Sequence, residues 1–209
     1  MGAAGLAEGA DGRPRCWWGV AAPDYVDYHD LEWGRPVTDD RGIYERLPLE
    51  AFQSGLSWLT ILRKRESFRT AFADFHVDRV ARFGDREVAR LLGDADIVRH
   101  RGKIEAAIAN ARAAGAMARA GDSLAALVWS YRPGRRPAPR TMSDLPPTTP
   151  ESVALSKELK RRGFRFVGPT TVYAAMQAAG IVNDHIVGCH VRGAVERERR
   201  EAVRLTQAA

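Results

Sequence analysis

Apolar positions recur at intervals of three and four over most of this chain, the period of helices with one buried stripe. From Gly42 to Phe72, Ile43, Leu47, Leu56, Leu59 and Leu62 keep that spacing. Pro48 is expected to start or kink a helix there, which puts Glu50 in the first turn of the helix that follows. On that helix Glu50, Ser54 and Trp58 would stand one above another. Asp85 is placed to cap a helix over Arg86 to Leu92, ended by Gly93. Arg101 to Ala118, alanine-rich with Ile104 and Ile108 one turn apart, predicts another helix, and Leu124, Leu127, Val128 and Tyr131 a further one.

Thr149-Pro150-Glu151 reads as a helix start, leading to Leu155 and Leu159 on one face and a stop at Gly163. A tight hairpin bounded by Gly163 and Gly168 then opens into a helix from Pro169 to near Gly180. Proline suits the first helical position because the N–H it lacks would have no partner there. No stretch alternates β-branched residues and no internal repeat is present, so the fold class is all-α.

The remaining segments break the pattern. Residues 1–14 are Gly/Ala-rich without a basic start or sustained apolar core, and read as a flexible tail rather than a signal peptide. Cys16 to Thr38 is dense in aromatics. Pro133 to Pro147 is a loop rich in proline and arginine. Beyond His190 the charged run reads as a frayed surface helix. The expected organisation is a tail over 1–14, one domain over 15–191 and a charged tail over 192–209.

With 45% apolar residues and five tryptophans, the chain of 209 residues is long enough for a real core. Its net charge of +6 permits nucleic-acid binding without demanding it. No run approaches the ~18 to 20 apolar residues of a membrane span, so no membrane role and a cytoplasmic location are expected. Two cysteines, Cys16 and Cys189, are more consistent with metal binding or free thiols than with a disulfide in that compartment.

Three groups of residues carry chemistry. Cys16 and His29 lie near one end, and His185 and Cys189, four apart and expected on one helical face, near the other. Two Cys and two His complete a tetrahedral structural zinc site, although His190 could replace His185 and a buried cysteine beside an unrelated histidine also fits the spacing. Glu50 with Trp58 brings a carboxylate near an aromatic ring, an environment for a flat cationic ring compound. The alternative is a core tryptophan and a helix-dipole carboxylate. At the hairpin, the free N–H groups at the start of the following helix suit a phosphate oxygen, with Arg161, Arg162 and Arg165 adding charge. His76 and His100 join no cluster.

Five ordered blocks of sequence resemble the DNA-3-methyladenine glycosylase I family of the helix-hairpin-helix DNA glycosylase superfamily. They are Arg15-Cys16 with Trp18; Tyr28-His29-Asp30 with Glu32-Trp33-Gly34; Leu49-Glu50 with Gln53 and Gly55-Leu56-Ser57-Trp58; Arg99 to Ile104; and Lys160 to Thr171 followed by Asn183-Asp184-His185 and Cys189. The resemblance spans about Arg15 to Cys189. It implies a helix-hairpin-helix bundle whose N- and C-terminal segments are clasped by one structural zinc ion on Cys16, His29, His185 and Cys189. It also implies a monofunctional enzyme that flips 3-methyladenine out of alkylated double-stranded DNA and hydrolyses its N-glycosidic bond; a monomer, which suits the search for single lesions, is expected.

By the same resemblance Glu50 hydrogen-bonds the base, Tyr28 and Trp58 stack on it, and Trp18, Tyr25 and Trp33 form further pocket wall. DNA contacts fall to Gly163, Arg165, Gly168 and Thr170 at the hairpin and to Gly55 and Leu56. Leu56 resembles the wedge that fills the gap left by the flipped nucleotide, its alternative being a core leucine. Pro169-Thr170-Thr171 holds no lysine for lyase chemistry. Asp184 is expected to be structural, as a partner of zinc-bound His185. The N-terminal tail, the arginine-rich loop over Pro133 to Arg140 and the charged C-terminal extension depart from the family pattern.

Overall fold

In the computed structural model, residues 5–208 are described. Among the described residues, ten α-helices follow a short hairpin. β1 (Leu6–Glu8) and β2 (Pro14–Cys16) pair antiparallel, with Leu6 opposite Cys16. The helices are α1 (Pro23–Leu31), α2 (Asp40–Gln53), α3 (Trp58–Ala71), α4 (Val77–Val80), α5 (Asp85–Gly93), α6 (Arg101–Arg119), α7 (Leu124–Ser130), α8 (Pro150–Arg161), α9 (Pro169–Ala178) and α10 (Arg192–Ala208). The chain is therefore mostly helical, and the small sheet is an addition to the all-α expectation. β1 and β2 also place residues 6–8 and 14 in ordered structure rather than in a loose tail, because Arg15 pins the hairpin to Asp11 and Asp30.

The main core gathers around α2, which packs on α3, α6, α7 and α9. Tyr44, Phe52, Phe68, Phe72 and Phe75 fill it, with Ile104, Leu124, Trp129 and Leu155 from the surrounding helices. Side chains of this size each stabilise the fold by about 1.5–3 kcal/mol when fully buried. A smaller cluster holds Cys16, Ile186, Cys189, Val191 and Val195, with Leu6 and Trp18 packed on it. Val195, at 0% exposure, seats the first turn of α10 there, and Arg35 pairs with Glu198. The segment from Arg192 onward is thus a packed helix rather than a frayed one, because its apolar face covers the second cluster.

Pro48 lies inside α2 and does not start it. Only one backbone hydrogen bond is lost there, and the burial of Ile43, Leu47, Leu49 and Phe52 holds the helix through it. Glu50 accordingly sits in the last turn of α2. The helix ends at Gln53, Gly55 turns at φ +85°, and Ser57 caps α3 by accepting from the Thr60 N–H. Glu50, Ser54 and Trp58 therefore do not share one helical face. Asp85 likewise begins α5 instead of capping it; the Gly84 N–H is satisfied by the Glu87 carboxylate at 2.9 Å.

α9 ends where Gly180 adopts φ +70°, and a Cβ there would lie 2.6 Å from the Gly34 carbonyl oxygen. Only glycine lets the chain pass so close to residues 34–36. From Ile181 to Val191 the backbone is irregular, so His185 and Cys189 are brought together by a turn at 187–188 rather than by a helical face.

Candidate active site and metal centre

Cys16 Sγ lies 3.7 Å from His185 Nδ1, and Cys189 Sγ lies 3.5 Å from His29 Nε2 and 3.6 Å from His185 Nδ1. All four donor atoms fall within 4.8 Å of one another and all four residues are buried. A tetrahedron with zinc–sulfur and zinc–nitrogen distances of about 2.3 and 2.0–2.1 Å has sulfur–nitrogen edges of about 3.6 Å. The measured edges match it.

The outer hydrogen bonds fix the tautomers this requires. His29 Nδ1 bonds Asp30 Oδ1 at 2.7 Å, leaving Nε2 as acceptor, and that nitrogen receives the Cys16 N–H at 3.3 Å. His185 Nε2 bonds the Trp33 carbonyl at 3.1 Å, leaving Nδ1 toward the sulfurs. Burial opposes ionisation of Asp30, yet hydrogen bonds from Arg15, His29 and His190 hold it down at about 2. The hydrogen bond between the two thiols pushes Cys189 below the ordinary thiol range and, with burial, Cys16 above it. Two acceptor nitrogens facing a sulfur pair that stabilises a thiolate make a donor set suited to Zn²⁺. His190 bonds Asp30 at 3.1 Å instead of joining the four.

Two aromatic residues link this cluster to a cavity of about 330 Å³. Trp18 packs edge-on to His29 and to Trp33, whose ring meets His185 at 4.7 Å. Trp18 also reaches Tyr25 and Tyr28, and Tyr28 meets Trp58 at 5.4 Å between centroids. Trp18, Tyr25, Tyr28, Trp33 and Trp58 all line the cavity, together with Glu50. Four segments supply them: the turn after β2, α1 with the residues that follow it, the end of α2, and the start of α3.

Glu50 is 7% exposed, and among the described residues its carboxyl has no hydrogen-bond partner. Burial pushes its pKa from 4.5 to about 8, with Arg46 opposing weakly. Burial, then the charge of Glu50, raises the Tyr28 phenol well above its ordinary value. Trp58 Nε1 is buried without a partner among the described residues. Leaving that N–H without a partner costs about 1–3 kcal/mol, and Trp58 stands on the cavity wall with Glu50.

Gln53, Met142, Leu145, Ala174 and Gln177 line the same cavity and were missed from sequence. Met142 and Leu145, an i,i+3 apolar pair within a loop of prolines and arginines, carried a signal; Ala174 and Gln177 carried none. Asp184 is not a partner of His185. Its carboxylate, fully buried, accepts from the Tyr173 hydroxyl at 2.6 Å, from Gln177 at 2.9 Å and from Arg136.

The turn at Gly55 and Leu56 sits at the cavity's α2–α3 side. Leu56 is 44% exposed, which excludes its reading as a core leucine. Lys103 props the turn by donating to the Phe52 and Ser54 carbonyls at 3.1 and 2.6 Å. Between α8 and α9 the chain turns at Gly163, φ +93°, and at Phe166, φ +55°. Asn110 clamps this hairpin, accepting from the Arg165 N–H at 2.7 Å and donating to its carbonyl at 3.1 Å. Ser156 donates to the Val167 carbonyl at 2.6 Å. The N–H groups of Phe166, Val167, Gly168 and Thr170 find no acceptor among the described residues. Arg165 is exposed, whereas Arg161 and Arg162 are both paired with Glu158.

An aromatic cavity around a buried carboxyl, beside a buried Cys₂His₂ cluster, defines a site for a flat ring next to a candidate metal centre. The family model for methyladenine glycosylase matches residues 17–192, and the chain belongs to that family. It is 49% identical over 178 residues to DNA-3-methyladenine glycosylase 1 of Escherichia coli strain K12, covering 84% of this chain and 95% of that one. It is also similar to the crystal structure of a 3-methyladenine DNA glycosylase I, at TM-score 0.81, covering 84% of this chain and 98% of that one with 49% identity. A variant of 3-methyladenine DNA glycosylase I in complex with 3-methyladenine matches at TM-score 0.80 and 36% identity, over 85% of this chain and 97% of that one.

Proposed function

We propose that the protein is a monofunctional DNA glycosylase that removes 3-methyladenine from alkylated double-stranded DNA, acting as a monomer in the cytoplasm. The observation that carries this reading is Glu50, a desolvated carboxyl at the edge of a cavity walled by Tyr28, Trp58, Trp18, Tyr25 and Trp33. A 3-methylated adenine is cationic while joined to its sugar. Aromatic faces attract it, and a carboxylate at Glu50 accepts its N–H groups. Unmodified adenine is neutral and gains less from either, which makes the pocket selective.

Entry of the cation favours ionised Glu50 in a low-dielectric site, so binding of the flipped base is coupled to loss of the Glu50 proton. The N9–C1′ bond then breaks with its electron pair moving onto the base, which departs neutral, while water adds to C1′ and sheds a proton. The charge on the lesion already makes it a good leaving group, so extrusion and binding supply much of the catalysis. In this reading Leu56 is the wedge, and its exposure beside the Gly55 turn and Lys103 supports that role. As a helix-hairpin-helix element, the segment from Gly163 to Gly168 with Arg165 and Thr170 holds the phosphate backbone through its free N–H groups.

Cys16, His29, His185 and Cys189 would hold one zinc ion, which supplies a structural tie between the N-terminal aromatics and the segment after α9. Its role is to set Trp18 and Trp33 against the cavity. The test is release of bases from methylated duplex DNA, read by chromatography. Release of 3-methyladenine supports the reading; its absence with folded, zinc-loaded protein overturns it.

A further inference from the structure

The arginine-rich loop after α7 and the C-terminal helix α10 meet in the fold. Together they wall an open groove of about 610 Å³ on the far side of Asp184 from the aromatic cavity. Arg132, Arg135 and Arg136 line it from the loop. Arg192, Arg199, Arg200 and Arg204 line it from α10, nearly all of which lies beyond the matched residues 17–192. Against seven guanidinium groups the lining holds one carboxylate, Glu196, which pairs with Arg199 and Arg200, while Arg136 reaches the buried Asp184 behind the wall.

We propose that this groove binds the phosphate backbone of the same duplex whose base enters the aromatic cavity, an inference that rests on the excision reading above. Every cation in the groove is an arginine, whose planar fork matches phosphate oxygens. Arg135 and Arg204 are exposed and have no side-chain partner among the described residues. No aromatic ring lines the groove, so it offers no platform for stacking bases. What it can grip is backbone, without regard to sequence.

The dimensions favour a polymer over a point anion. From Arg192 to Arg204 the axis of α10 runs about 18 Å, roughly the rise of five base pairs. The position favours the same duplex. Asp184 accepts from Gln177, which lines the aromatic cavity, and from Arg136, which lines the groove, so the two sites share a wall one side chain thick.

The test is the salt dependence of binding to an undamaged duplex, followed by fluorescence anisotropy for the wild type and for the Arg135→Gln/Arg204→Gln double variant. Each phosphate contact contributes about 0.9 to the slope of log affinity against log salt, so the double variant should lose about 1.8. Arg135→Lys/Arg204→Lys should retain most of the slope. An unchanged slope in the glutamine variant overturns the proposal. So does a groove that binds inorganic tripolyphosphate, lost in the glutamine variant, while the DNA slope stays put, since the site would then take free anions. Base release by the wild type is measured separately. A wild type that releases no base, beside a variant with a lowered slope, removes the excision reading and leaves the groove standing.

Discussion

Replacing Glu50 by glutamine should make the protein more stable and less active at once. The folded pocket raises the carboxyl from 4.5 to about 8, so between those values the folded chain holds a proton that the unfolded chain releases. Stability contributed by this group is therefore complete below about pH 4.5 and is lost as pH rises through about 8. At pH 7 the difference disfavours the fold by about 3 kcal/mol. Glutamine has nearly the same shape and no charge to desolvate. Glu50→Gln should accordingly gain about 3 kcal/mol at pH 7, about 6–12 °C in Tm for a chain of this size, and gain almost nothing at pH 4. Excision of 3-methyladenine should fall at least about tenfold, since one charge-assisted hydrogen bond is worth about 1.5–3 kcal/mol. The wild type itself should show kcat/KM rising with pH and levelling near 8, where the free pocket becomes ionised. Thermal unfolding at pH 4 and pH 7, with single-turnover base release, measures all of this. A gain that is the same at both pH values, or a variant that excises as fast as wild type, would refute the desolvated-carboxylate argument.

Other substitutions separate stability from function elsewhere. Leu56→Ala should change unfolding free energy by less than about 0.5 kcal/mol, as for an exposed position, yet lower kcat/KM on duplex DNA about tenfold or more; equal activity of the variant counts against the wedge. Cys16→Ser should lower the zinc content from one per chain, by elemental analysis, and the Tm by about 10 °C or more; a variant with unchanged Tm would argue against a structural metal. Gly180→Ala places a methyl group against the Gly34 carbonyl and should cost more than about 3 kcal/mol by denaturant titration.

The helices were legible because each carries its own period and punctuation. Thr149 before Pro150 and the alanine-rich run of α6 specify their elements locally, and the Cys16 to Trp33 and Gly55 to Trp58 blocks marked the site. The residues named from sequence for the pocket and metal cluster were on view there, but their types and spacing also fitted a core tryptophan and a buried cysteine, and it was the resemblance of the ordered blocks that favoured cation recognition and zinc.

What local pattern could not decide was how separate segments meet. Pro48 read as a boundary, but the burial of α2 against four helices outweighed one lost hydrogen bond, which moved Glu50 to the helix end and put Trp58 on the next helix. His185 and Cys189 converge through a turn, because Gly180 and the close pass by residues 34–36 stop α9 first. Gln177 and Asn110 have no neighbours in sequence that announce their roles; one lines the cavity and the other clamps a hairpin 55 positions away. The arginine loop and the C-terminal helix read as separate surface features until Val195 packed on the second cluster and Arg136 paired with Asp184 to set them face to face. Sequence by itself determined the elements and the chemistry each carries. Which charges share a groove, and which carboxyl loses its water, depend on long-range packing, and only the tertiary structure decided them.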